Sequence, residues 1–151
     1  MTRTTALLGP ASRASCGLRL NARAPRISVV IKALNEEAKI ASAIESVLAA
    51  GQGQELEIVL ADSLSTDRTV EIASRYPVRI VQLQNAHDRG CGAAAQLGYQ
   101  HARGEYVYVL DGDMEMDRLF LRAAVRALEA DPGLAGVAGL LRDARARNHF
   151  D

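Results

Sequence analysis

The chain lacks any apolar stretch that approaches the roughly 18 residues a membrane-spanning helix needs. It has only two cysteines, Cys16 and Cys91, which are far apart and form no CxxC pair. This spacing provides neither a zinc site nor a disulfide framework, so a reducing compartment is the expected setting. The sequence therefore predicts a cytoplasmic protein without a span of its own. Peripheral membrane association through a partner or a further segment stays compatible with that interpretation.

Net charge is also absent, but the charges are distributed unevenly. The sequence contains 18 basic and 18 acidic side chains. Residues 1–26 hold five arginines and no acid, which leaves 13 basic and 18 acidic residues in the remainder. Nucleic-acid binding depends on neutralising phosphates with basic side chains. A net-negative body therefore argues against nucleic acid as a partner.

Residues 1–26 form a leader rich in Arg, Ala and Ser. The composition is similar to that of a transit peptide. We interpret the leader as a disordered extension or as translation from an upstream start codon, with a targeting role as the alternative. The 151 residues fit one domain, which we assign to residues 27–151.

Apolar strand patterns and amphipathic helix patterns alternate after the leader. The predicted strands are 27–31, 57–61, 78–83 and 106–110, with a fifth at 134–141 that Gly136 and Gly139 weaken. The predicted helices are 36–50, 67–75, 92–102 and 117–130. Asn35 is expected to cap the first helix, and the third strand is expected at an edge or with one solvated face. This alternation predicts an α/β fold, a mostly parallel sheet with helices on both faces.

The Asp111-Gly112-Asp113 motif directly follows the predicted strand 106–110. Two carboxylates one residue apart concentrate negative charge, which a divalent cation with oxygen ligands neutralises. Ligands of open parallel sheets bind at the carboxyl ends of the strands. The motif therefore predicts a metal, held together with phosphate, at this edge of the sheet.

Polar residues also follow the first two strands. Asp62 is suited to accept hydrogen bonds from a base edge or a ribose, and the alternative is that it caps the next turn. Residues 34–37 (Leu-Asn-Glu-Glu) begin a helix whose N–H groups would face a ligand. The alternative is a solvated first turn matched to the helix dipole, above all for Glu36.

A basic loop, Arg89-Gly90-Cys91-Gly92, precedes the third helix. Arginine suits a diphosphate, and glycines let the backbone approach a ligand. The loop matches neither the phosphate-binding P-loop nor the dinucleotide GxGxxG pattern, so a turn with a solvated arginine is the alternative. His149 lies downstream of the acidic motif, where folding back onto a metal is a further alternative.

Taken in order, these motifs resemble those of family 2 inverting glycosyltransferases of the GT-A fold. The residues that carry the resemblance are 28–31, 34–37, 62–63, 65–69, 103–106 and 110–113, within about residues 27–141. The resemblance implies a Rossmann-like GT-A domain, a nucleotide-sugar donor linked to UDP or GDP, and Mg²⁺ or Mn²⁺ on the donor diphosphate.

The resemblance also implies a role for each candidate residue. Asp62 would contact the nucleobase, Asp111 would lie near the ribose and the metal, and Asp113 would be the main metal ligand. The remaining candidates would line the nucleotide-sugar site or approach the donor: Leu34, Asn35, Glu37, Gly112 and Arg89.

The sequence departs from the family pattern at several positions and in its length. Lys32 stands where proline is usual, and Leu64 replaces a common glycine. In the family, a second half supplies the acceptor site and the carboxylate that acts as general base. The only acids after Asp131 are Asp143 and Asp151, and neither has that context. We therefore assign no catalytic residue and interpret the chain as an apparently truncated GT-A domain, the donor-binding part. The acceptor, a saccharide, lipid or protein, stays unknown.

Two other functions stay open from the sequence. A non-catalytic module with the same fold would bind a nucleotide-sugar without transferring the sugar. A nucleotidyltransferase would need a basic, glycine-rich phosphate loop after the first strand. Residues 33–37 are acidic and lack glycine, which argues against the nucleotidyltransferase.

Overall fold

A computed structural model describes residues 25–142 of the chain. Most of the leader and His149 lie outside the described residues. The elements are β1 (Ile27–Ala33), α1 (Ile40–Ala50), β2 (Leu56–Asp62), α2 (Thr69–Ala73), β3 (Arg79–Gln82), a 3-10 turn (Ala86–Asp88), α3 (Cys91–His101), β4 (Tyr106–Asp111) and α4 (Phe120–Ala130). None of the helices in this part of the chain combines the length and hydropathy that crossing a bilayer requires.

The four strands form one parallel sheet in the order β3-β2-β1-β4. β1 pairs with β2 on one side and with β4 on the other, so all but one of its seven residues are buried. A strand covered on both faces is mostly apolar, as Ile27–Ala33 is apart from Ser28 and Lys32. The parallel sheet and the edge position of β3 confirm the sequence prediction.

Helices cover both faces of the sheet, as expected. On one face, α1, α2 and α4 pack on the sheet through a cluster that includes Ile44, Val47 and Leu121. On the other face, α3 packs through Leu97 onto a smaller cluster that includes Val30. Because β1 contributes to both clusters, the core is anchored on this strand.

A polar network ties the amino ends of β1, β2 and β4 together, at the edge opposite the candidate site. Ser28 Oγ donates to Glu57 Oε1 at 2.6 Å and accepts from Gly104 N at 2.7 Å. Arg103 Nη2 donates to Glu57 Oε2 at 2.7 Å. A Cβ on Gly104 would lie 2.5 Å from Ser28 N, so the turn requires glycine. Arg103 and Gly104, two of the residues that carry the family resemblance, therefore stabilise the fold.

Two predictions about the elements are wrong. Residues 134–141 form no strand, and Leu140 and Leu141 are exposed. Gly136 and Gly139 add backbone entropy and supply no side chain to pack on β4, so this segment does not join the sheet. The first helix begins at Ile40, with Lys39 as its N-cap residue, and Asn35 does not cap it.

We expect Glu57 to contribute stability that is lost in acid. Burial raises the pKa of this carboxyl, but hydrogen bonds from Ser28 and Arg103 outweigh that effect and lower the pKa below 4.5. A group whose pKa falls on folding stabilises the protein above its unfolded pKa, and the contribution disappears as pH drops through the folded value. Glu57→Gln should cost about 1–3 kcal/mol at neutral pH and flatten the acid limb of the stability profile.

Chemical denaturation followed across the acid range measures this effect. Glu105→Gln is the matched control, because the Glu105 side chain is 67% exposed. An acid limb of equal slope in wild type and Glu57→Gln would contradict the assignment.

We expect Gly98 to be required for the packing of α3 on β1. A Cβ at this position would lie 2.1 Å from Val30 Cγ1. Gly98→Ala should therefore destabilise the protein by about 1–3 kcal/mol, although alanine is the better helix former. Gly92→Ala in the same helix meets no atom within 4 Å and should cost nothing. Urea denaturation of both variants measures the difference, and equal stabilities would refute the packing argument.

Candidate functional site

The carboxyl ends of β1, β2 and β4 meet at one edge of the sheet, and the predicted site residues follow them. Ala33 is in register with Asp62, and Lys32 is in register with Asp111. The last two residues of β1 thus lie between the two aspartates. The structure therefore brings the acids that follow the second and fourth strands to the same edge, as the β-α alternation predicted.

The Asp111-Gly112-Asp113 turn is held against the end of β1. Gly112 N donates to Lys32 O at 2.7 Å, and Met114 N closes the turn onto Asp111 O at 3.1 Å. Gly112 is buried, and a Cβ there would lie 2.9 Å from Lys32 O and 3.2 Å from Glu36 Cγ. Glycine thus lets the turn pack closely while Asp113 stays exposed.

Asp111 already has a cationic partner within the protein. Lys32 Nζ lies 2.6 Å from Asp111 Oδ1, with the side chains 18% and 44% exposed. In the sequence, Lys32 stands out only as a departure from the family pattern. The signal that could have revealed the pair is a lysine near the end of a strand that lies beside the strand of the acidic motif.

The edge carries excess negative charge. Burial raises the pKa of Glu36, and the negative charge of Asp113 raises it further, with smaller contributions from Asp67 and Asp111 and opposition from Lys39. Burial is the larger cause, and the neighbouring acids add to it because like charges disfavour the ionised form.

The oxygen donors at the edge fit Mg²⁺ or Mn²⁺ bound together with a phosphate ligand. Within residues 25–142, no three His, Cys, Asp or Glu side chains converge on one point. Mg²⁺ commonly takes one or two carboxylates from a protein and completes its shell with water and substrate phosphates. Asp111 and Asp113 supply carboxylates of that kind.

Asp62 is enclosed by its own loop. Its side chain is fully buried, and Oδ2 accepts hydrogen bonds from Ser65 N at 3.0 Å and from Gln82 Nε2 at 2.9 Å. Oδ1 accepts from Ser65 Oγ at 2.5 Å. These contacts are those of an aspartate that fixes the turn after β2, the alternative that the sequence analysis kept for this residue. Its part in recognising a base stays a prediction.

The loops after β1 and β2 are clamped together by Asn35 and Glu37. Thr66 N donates to Asn35 Oδ1 at 2.8 Å, and Arg68 N donates to Glu37 Oε2 at 3.0 Å. Asn35 has a φ of 57°, a left-handed conformation that asparagine tolerates. Both side chains thus join two loops, while Leu34 beside them is 43% exposed.

Arg89 reaches this edge from the loop before α3. Its Nε donates to Ser63 O at 3.1 Å, and Nη2 donates to Leu64 O at 2.8 Å. The guanidinium is therefore fixed over the loop after Asp62, although the residue stays exposed. The structure brings Arg89 to the predicted site and does not leave it as a solvated turn residue.

Leu64 carries backbone strain at the same point. Its φ is 64°, in the left-handed region that favours glycine. The sequence analysis identified Leu64 as a replacement for a common glycine, and the loop keeps the conformation that glycine would adopt. Strain of this kind persists where the surrounding contacts determine the conformation, here those of Asp62 and Arg89.

We expect Leu64→Gly to be more stable than Leu64→Ala by about 1–2 kcal/mol, because only alanine keeps a Cβ in the left-handed conformation. Comparing two truncated variants removes the effect of losing the leucine side chain, which both share. Urea denaturation gives the difference. An alanine variant as stable as the glycine variant would show that the loop relaxes to another conformation.

The chain was compared with known proteins. It is 40% identical over 96 residues to the low-salt glycan biosynthesis hexosyltransferase Agl6 of Haloferax volcanii, covering 62% of this chain and 22% of that protein. It is 32% identical over 130 residues to the undecaprenyl-phosphate 4-deoxy-4-formamido-L-arabinose transferase of Edwardsiella ictaluri, covering 82% of this chain and 39% of that protein. The chain thus spans about a fifth to two fifths of the length of these relatives.

A solved structure shares the fold. The mannosyltransferase PcManGT of Pyrobaculum calidifontis, in complex with GDP-Man and Mn²⁺, is 30% identical and superposes with a TM-score of 0.61. The match covers 72% of this chain and 33% of that structure. This similarity confirms the α/β fold of GT-A type that the sequence resemblance implied.

The family comparison agrees with these matches. Residues 28–147 match the family described as Glycosyl transferase family 2. The match begins in β1 and includes every element of the sheet and the whole acidic turn after β4. On this match, which covers most of the chain, the protein belongs to glycosyl transferase family 2.

Proposed function

We propose that residues 27–151 form a donor-binding domain, which holds a UDP- or GDP-linked sugar together with Mg²⁺ or Mn²⁺. The domain acts in a glycosyltransferase that transfers the sugar with inversion. The observation that carries the proposal is the Asp111-Gly112-Asp113 turn, packed against the end of β1 beside the loop of Asp62. Membership of glycosyl transferase family 2 supports the same reaction class.

In this proposal, Asp113 is the main metal ligand and Asp111 lies nearer to the ribose. The exposure of Asp113 and the closeness of its charge to Glu36 support a cation at this point. When bound, the metal offsets the charge that develops on the leaving diphosphate. The buried Gly112 lets the turn that carries the two carboxylates pack closely against β1.

The nucleotide part of the donor is assigned to the loops after β1 and β2. The clamp between Asn35 and Thr66 and the one between Glu37 and Arg68 give these loops a fixed shape. A site with a fixed shape binds its ligand without the entropy cost of ordering loops. In this proposal Leu34, Asn35 and Glu37 line the nucleotide pocket. Asp62 sets the loop that faces the base, and Arg89 lies beside the donor diphosphate.

The acceptor is proposed from the relatives. The relative from Edwardsiella ictaluri is named for an undecaprenyl-phosphate substrate. A lipid phosphate is therefore the acceptor class that we infer for the enzyme in which this domain acts, and peripheral association with a membrane surface would bring the two substrates together. Inversion also needs a general base at the acceptor hydroxyl, and we assign this role to no residue of the chain.

We expect Asp113→Ala to abolish the Mn²⁺-dependent binding of UDP and GDP. The physical reason is the loss of the main oxygen ligand between the protein and the metal diphosphate. Stability should change little because Asp113 is exposed. Calorimetric titration of the full chain with each nucleotide, with and without Mn²⁺, measures the binding.

Glu115→Ala is the matched control for that prediction. Glu115 is an exposed acid in the same loop, so its removal changes the charge equally. A folded wild-type chain that binds neither nucleotide in the presence of Mn²⁺ would refute the donor site. Donor binding by an enzyme that neither hydrolyses nor transfers the sugar would instead favour the non-catalytic module.

A further inference from the structure

Lys32 is fixed in place at the centre of the candidate site. It is the second-last residue of β1 and pairs in register with Ala61 on one side and Asp111 on the other. Its backbone carbonyl accepts the hydrogen bond from Gly112 N at 2.7 Å. The backbone of Lys32 is thus held by both neighbouring strands and by the acidic turn itself.

The side chain of Lys32 is directed at Asp111. In a parallel sheet, side chains in register lie on the same face, and Lys32 Nζ lies 2.6 Å from Asp111 Oδ1. The lysine side chain is only 18% exposed. An exposed ion pair is worth little because water screens it, whereas a partly buried cation on a fixed backbone keeps more of its effect.

The pair changes the charge that a ligand meets. Two aspartates on one turn would repel a diphosphate unless a metal ion neutralised them. The ammonium of Lys32 offsets one of these negative charges. It also occupies one of the oxygens that a metal would use and repels a divalent ion nearby.

We propose that Lys32 is a built-in cation of the donor site, which supports binding of the nucleotide diphosphate in the absence of metal and weakens the affinity for Mn²⁺. This inference rests on the proposed donor site and goes beyond it by assigning part of the metal's electrostatic role to a residue of the chain. It predicts opposite effects of one substitution on two ligands.

Lys32→Met tests the inference, because methionine keeps most of the length of the side chain and removes the charge. Lys39→Met is the matched control. These are the chain's two lysines, and Lys39 is exposed at the start of α1, where it acts on Glu36 through its charge. Both variants therefore lose one positive charge, but only one loses the contact with Asp111.

Two measurements are made on the full chain, after circular dichroism has shown that each variant is folded. Calorimetry with EDTA present measures UDP and GDP binding without metal, and paramagnetic resonance of free Mn²⁺ measures metal binding without nucleotide. Relative to wild type, Lys32→Met should bind the nucleotides about tenfold more weakly in EDTA, a change of about 1.4 kcal/mol, and should bind Mn²⁺ several-fold more tightly. Lys39→Met should change both affinities much less than Lys32→Met does.

The outcomes separate this inference from the donor site itself. If wild type binds nucleotide with Mn²⁺ but Lys32→Met matches it in both measurements, the donor site stands and the role of Lys32 is refuted. Equal changes in Lys32→Met and Lys39→Met would also refute it, because they would show an effect of net charge alone. If wild type binds no nucleotide under either condition, both proposals fail.

Discussion

The burial of β1 is the constraint on which the rest of the structure depends. This strand pairs on both sides, and its side chains enter the cores on both faces of the sheet. Because this strand is buried and paired on both sides, its last two residues, Lys32 and Ala33, are held in place at the edge of the sheet. The turn of Asp111 and the loop of Asp62 are both built against them.

The edge combines rigid loops with charge that is only partly compensated. Asn35, Glu37 and Arg89 use hydrogen bonds to hold these loops in place, although Leu64 has a strained, left-handed backbone. The acids of the turn meet one internal cation, Lys32, and Asp113 stays exposed. Hydrogen-bonded loops with residual negative charge suit a ligand that binds together with a metal ion. The geometry of this edge and the membership of glycosyl transferase family 2 therefore support the same proposal.

The sequence predicted most of the fold because its patterns are local. The apolar run of β1 and the helical spacing of α1 need only their own residues to be recognised. It failed for residues 134–141, where an apolar composition suggested a strand that the glycines do not support. It also failed for Asn35, because the choice between a cap and a clamp depends on Thr66, which lies 31 residues away.

By itself, the sequence determined the parallel α/β alternation and the placing of acids at the carboxyl ends of strands, since strand direction fixes which ends share an edge. Only the tertiary structure decided which of those acids already have hydrogen-bond or ion-pair partners within the protein. Asp62 is enclosed by Ser65 and Gln82, and Asp111 is paired with Lys32, whereas Asp113 stays exposed. The physical reason is register: the alignment of separate strands sets which side chains meet across the sheet, as it does for Lys32 with Asp111 and for Gln82 with Asp62.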